Sequence, residues 1–167
     1  MKRHILITAI AVFMLLCSDW IHAQPTQTKL NQVELMKQFI GTWKTEMGKD
    51  TTMILNFTHF GTALEGNYKV VTKDKILNEA KKLMGYDKTT DKLIESQIMN
   101  NSPAIFLISL WFTSKNTSEA VLFQDISNPE NATIKWKVEF KSPNMFIETY
   151  IENNKVVSVS TFTQEKK

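Results

Sequence analysis

Two of the three histidines and the single cysteine of this 167-residue chain, His4, His22 and Cys17, fall within its first 22 positions. Beyond them His59 is the sole imidazole, a side chain suited to general base work or to ligating haem iron. On the run Met53, Leu55, Phe57, His59 it shares a face with apolar neighbours and stands close to Gly61. A histidine at a strand end, solvated or hydrogen-bonded, fits that setting, and it is retained as a candidate ligand contact. A zinc site needs several converging His, Cys or carboxylate ligands, and one histidine does not supply the usual sets. No serine stands in a Gly-x-Ser-x-Gly elbow, and Gly41 and Gly85 stand alone rather than in a phosphate-cradling loop. The paired carboxylates Glu46 with Asp50 and Glu148 with Glu152 fall in strand or turn patterns, where a solvated surface charge is the expectation. Nothing in these residue types requires catalysis, and no cofactor or metal is expected.

The elements that would position such groups begin after a leader. Lys2, Arg3 and His4 precede an uncharged apolar run at 5–17, and Ile21-His22-Ala23 ends in a small residue ahead of Gln24-Pro25. That order is the pattern of a cleavable signal peptide over 1–23, and it predicts export to the periplasm or the extracellular space. The apolar run is too short to cross a bilayer as a helix, so no transmembrane segment is expected. Leu16 before Cys17 is a poor match to a lipidation signal, so lipid anchoring there is not expected, and cleavage would remove the only cysteine. A disulfide framework would then be unavailable. The net charge is +3, and loss of Lys2, Arg3 and Asp19 lowers it by one, which gives no electrostatic case for nucleic acid.

A short polar lead at 24–29 is followed by one domain over 30–167. Leu30, Val33, Met36, Phe39 and Ile40 recur at helical spacing, and Gly41 ends that pattern. From there the period is two. At 133–141, Ile134, Trp136, Val138 and Phe140 alternate with Thr133, Lys135, Lys137, Glu139 and Lys141, the pattern of a half-buried strand. Leu64, Tyr68 and Val70 repeat it, with Gly66 as a gap on the apolar face, and Met145, Ile147, Thr149 and Ile151 form a further alternating set. Turn signals such as Gly48-Lys49-Asp50, Ser142-Pro143-Asn144 and Asn153-Asn154-Lys155 cut the chain into about ten strand-length runs. Residues 76–84 suit either helix or strand, and the run into Leu83-Met84-Gly85-Tyr86 favours strand. The 104–113 run is apolar on both faces, so its outer set, Ile105, Leu107 and Trp111, is either covered or offered to a partner, including a second copy of the chain.

The junction Phe39-Ile40-Gly41-Thr42-Trp43-Lys44 resembles the start of the lipocalin and fatty-acid-binding (calycin) superfamily, in which a short helix leads into a first strand carrying Gly-x-Trp. The stretch Leu83-Met84-Gly85-Tyr86-Asp87-Lys88 is similar to a Gly-Tyr-Asp turn of secreted bacterial lipocalin-like proteins. The resemblance implies an antiparallel up-and-down β-barrel of about ten strands, closed at one end by the 30–40 helix and Trp43. It departs from the family in having no arginine after Arg3, so neither the arginine that stacks on that tryptophan nor an arginine–tyrosine carboxylate site has a counterpart. Strict alternation puts Phe57, Tyr68, Val70, Phe106, Ile108, Trp136, Val138 and Ile147 inside, with Thr45, Gln97, Thr149, Ser158 and Ser160 as polar company. The candidate ligand-binding set is Phe57, His59, Tyr68, Gln97, Phe106, Ile108, Trp136, Val138, Ile147 and Thr149, for a small, mainly hydrophobic molecule.

Overall fold

The computed structural model describes residues 29–73 and 75–165. The leader at 1–23, Cys17 and all of the polar lead except Lys29 lie outside the described residues. No helix among the described residues is long and apolar enough to cross a membrane.

A short helix α1 (Gln32–Met36) begins at Asn31, whose side chain accepts a hydrogen bond from the Glu34 N–H at 3.1 Å. A 3-10 turn (Lys37–Phe39) continues it. Five helical residues would not hold a helix in isolation. What holds this one is the buried Gln32 side chain, which pairs with the Phe112 backbone in both directions: its Nε2 donates to the carbonyl at 3.1 Å, and its Oε1 accepts from the N–H at 2.7 Å.

Ten antiparallel strands follow among the described residues: β1 (Gly41–Gly48), β2 (Thr51–Phe60), β3 (Ala63–Thr72), β4 (Lys75–Asp87), β5 (Lys92–Met99), β6 (Ile105–Phe112), β7 (Thr117–Leu122), β8 (Ile134–Ser142), β9 (Met145–Glu152) and β10 (Lys155–Gln164). Each pairs with its chain neighbours, and β10 returns to β1, closing an up-and-down barrel. Closure removes free sheet edges. The seam is thin: Trp43 pairs with Gln164 and Lys44 with Thr163, and no further β1–β10 pairs form among the described residues. Residues 76–84 lie wholly within β4, so strand is the correct state of the two that the pattern allowed.

The helix end of the barrel is filled by aromatic side chains. Phe39 drops from the 3-10 turn into edge-on contact with Phe140 at 5.2 Å between ring centroids and Phe146 at 6.2 Å, while Phe146 stacks on Phe162 at 4.6 Å. Trp43 is fully buried there, and its indole N–H donates to the Phe39 carbonyl at 2.8 Å, joining the strand to the turn before it. Glycine is required at two points. Gly41 has φ +130°, and a Cβ on it would meet the Gln164 side chain, whose Nε2 donates to the Ile40 carbonyl at 2.9 Å. Gly66 leaves room for the Phe57 ring, which a Cβ would approach to 2.6 Å. That is the physical reason for the gap in the apolar face of β3.

Candidate ligand-binding cavity

Above the aromatic plug the inward side chains do not fill the barrel. They enclose a cavity of about 310 Å³, with Phe39, Phe57, Phe146 and Phe162 toward its floor and Gln97, Met99, Phe106, Leu122 and Trp136 toward the far end. An apolar cavity of about 150 Å³ is already large enough to take up benzene.

Seven of the ten residues expected from alternation line it: Phe57, Tyr68, Gln97, Phe106, Ile108, Trp136 and Val138. Three do not. His59 continues the inward phase of β2 but lies beyond Phe57, exposed at the end of the strand. Ile147 and Thr149 point outward, because the cross-strand partners of Ile147 are Glu139 and Thr161 and those of Thr149 are Lys137 and Val159. β9 carries large side chains at both phases, so alternation alone did not choose. The pairing of Phe146 with Phe140 and Phe162 selects the even-numbered positions as the inward ones.

That phase corrects a second expectation. Glu148 is not a solvated surface charge; it lines the cavity, one strand position above Phe146 on the same face. Lys82 and Glu95 line it as well, and they form an ion pair at 2.8 Å with side chains 14% and 7% exposed. Burial holds the Glu148 carboxyl above the ordinary carboxylate range, a tendency that the Lys82 charge opposes and the Glu95 charge reinforces. Burial likewise raises the Tyr68 phenol, with Lys82 pulling the other way. Ser118 completes the polar set: it is fully buried, lines the cavity, and its hydroxyl has no hydrogen-bond partner among the described residues.

A signal for the missed residues was present in the strands. Lys82 falls in phase with Ala80 and Met84, Glu95 with Leu93 and Gln97, and Glu148 with Phe146 and Tyr150. A charged residue in phase with the buried set, with the opposite charge in the same phase on the next strand, is the pattern that Lys82 and Glu95 show. Among the described residues no group of three or more His, Cys, Asp or Glu side chains is placed to hold a metal ion.

The outer face of β6 divides into three. Ile105 and Leu107 are 61% and 41% exposed. Ser109 is buried, in the strand against which the 3-10 turn Phe123–Asp125 packs. Trp111 carries the Lys92 ammonium over its ring, 3.4 Å from the centroid, so it is not part of an open apolar stripe. Gly85-Tyr86-Asp87 is not itself a turn but the end of β4, and it braces the turn at 88–91: Asp87 accepts from the Thr89 N–H and the Thr90 hydroxyl, and the Tyr86 hydroxyl donates to Asp91 at 2.5 Å.

No protein-family model matches the chain, and a search of curated proteins gives no significant match. The closed ten-strand antiparallel barrel is compatible with a calycin-like fold.

Proposed function

We propose that this is an exported binding protein that carries a small, mainly hydrophobic molecule inside its barrel. The observation that carries the reading is the cavity itself: about 310 Å³, walled largely by Met, Leu, Ile, Val and aromatic side chains, with a few polar groups converging on it. Ligand sites have this composition, an apolar wall for affinity and sparse polar groups for orientation. A residue set selected only for stability would fill the space, since each unfilled volume forfeits packing energy. Support for export is the basic start, apolar run and Ala23 of the leader.

Titration with N-phenylnaphthylamine, a neutral dye that brightens in apolar surroundings, tests the carrier reading. Saturable one-to-one binding that is abolished by Ala120→Trp, a substitution that fills the cavity from β7, is the expected result. Non-saturable binding, or binding untouched by the filled cavity in a folded variant, would count against it.

A second reading has one observation in its favour. Leu83, Ile98, Ile105 and Leu107 are all exposed apolar side chains of the adjacent strands β4, β5 and β6, and Ile98 pairs directly with Ile105. A protein–protein contact, including a homodimer, would use that face. Light scattering of the wild type and of Leu107→Lys tests this second reading: a dimer that the substitution dissociates supports it, and a monomer in both counts against it.

A further inference from the structure

We propose that the cavity selects a ligand with a basic nitrogen on an apolar body, with the Glu148 carboxylate as its counter-ion and the Ser118 hydroxyl as a second polar contact. This rests on the carrier reading and names the ligand chemistry that the polar residues specify.

Charge bookkeeping inside the barrel decides the sign. Lys82 and Glu95 satisfy one another at 2.8 Å, so that pair contributes no net charge. Glu119 also borders the cavity but is exposed to solvent, so Glu148 is left over: it lines the cavity, and the ion pair there joins Lys82 to Glu95 rather than to it. A half-buried carboxylate in an apolar cavity with no cation of its own is disfavoured in its charged form, and a cation placed beside it offsets that cost. An amine therefore offsets the charge of the Glu148 carboxylate. A carboxylate ligand would have to compete with Glu95 for Lys82 and would leave two carboxylates without a cation. A neutral ligand would leave Glu148 as it is.

Ser118 is the independent observation. Its hydroxyl is fully buried and has no partner among the described residues, and Ser118 lines the same cavity. The cross-strand ladder places it on one row with Glu148: Ser118 pairs with Val138, and Val138 pairs with Glu148. A ligand lying over Val138 meets both polar groups and the apolar surface between them. The groups that act electrostatically on Glu148 are Lys82 from β4 and Glu95 from β5, and Tyr68 from β3 is coupled to it in turn. The inward partners on the strands that flank it, Val138 and Ser160, do not titrate. Because burial makes Glu148 hold its proton more tightly than usual, binding an ammonium displaces that proton, and affinity rises with pH until the amine itself loses its charge.

Octylamine, octanol and octanoate, matched in chain length, form the test, read by isothermal titration calorimetry on the purified chain. Octylamine should bind roughly ten- to a hundredfold more tightly than octanol, the scale of a hydrogen bond to a charged group. In Glu148→Gln that preference should vanish while octanol binding persists. Wild-type affinity for octylamine should increase from about pH 5 to about pH 8 while octanol stays flat, a readout that needs no variant. Equal binding of all three probes, tightest binding of octanoate, or a preference unchanged in Glu148→Gln would overturn the inference and leave the carrier reading standing. If no probe binds at any pH, the carrier reading falls and the inference with it.

Discussion

Glu148, Lys82 and Glu95 show how a strand's phase turns an ordinary surface residue type into an interior one. For Lys82 and Glu95 the consequence is mutual dependence. Truncating one member strands the other in the barrel, whereas replacing both with apolar residues removes two desolvated charges together. Lys82→Met should thus cost about 3–5 kcal/mol in urea denaturation, and Lys82→Met with Glu95→Leu should recover most of it. Glu148 behaves oppositely. Its carboxyl is held above the ordinary value of 4.5, so over the window between those two values the folded chain holds a proton that the unfolded chain has released. Stability contributed by this group therefore falls as pH rises through that window and stays lower above it. Glu148→Gln should melt higher than the wild type at neutral pH, with the difference closing as pH falls below about 4.5. The inward placement of Glu148 was not decided by the residue types, because Glu148 and Glu152 stand four apart on a strand whose two faces are both largely apolar. Only the pairing with β8 and β10 settles which way they point.

At the scale of the element, the pieces that read most clearly were those whose signals agree. The helical spacing at 30–40 ends at Gly41 because that position combines a left-handed φ with a close side-chain neighbour, and the alternation of 133–141 has one apolar and one charged face. The ladder on the other side of that glycine explains Gly66 too, through a ring donated by the neighbouring strand. Gly66→Ala should lose about 1–3 kcal/mol by overpacking. Adding Phe57→Leu should return part of the loss, since the colliding ring is then gone; thermal melts of the single and double variants check this. The helix makes a separate commitment. Gln32→Ala leaves the buried N–H and carbonyl of Phe112 without partners, and a loss of about 1–3 kcal/mol is expected. No sequence period reports a bond between residues 80 apart in the chain, and so Gln32 read as an ordinary helix residue.

For the whole molecule, closure and plugging act together. The aromatic end supplies most of the fixed core, including fully buried Trp43, Leu64, Phe146 and Phe162, while the opposite half of the barrel interior carries the cavity and its charges. A stable end of this kind lets the other end hold unfilled space and the ionisable side chains of Tyr68, Lys82, Glu95 and Glu148 without losing the fold. Barrel architecture was legible in the strand rhythm and the Gly-x-Trp junction, but an unfilled interior was not, because alternation reports which side chains point inward and not whether they meet. The central claim is that this space is occupied by a small molecule. Its most direct test is the mass of the protein, purified from its native source, measured under native and then denaturing conditions. A native mass exceeding the denatured one by a single small-molecule ligand, and lost in Ala120→Trp, is the predicted result; identical masses in the two conditions would contradict it.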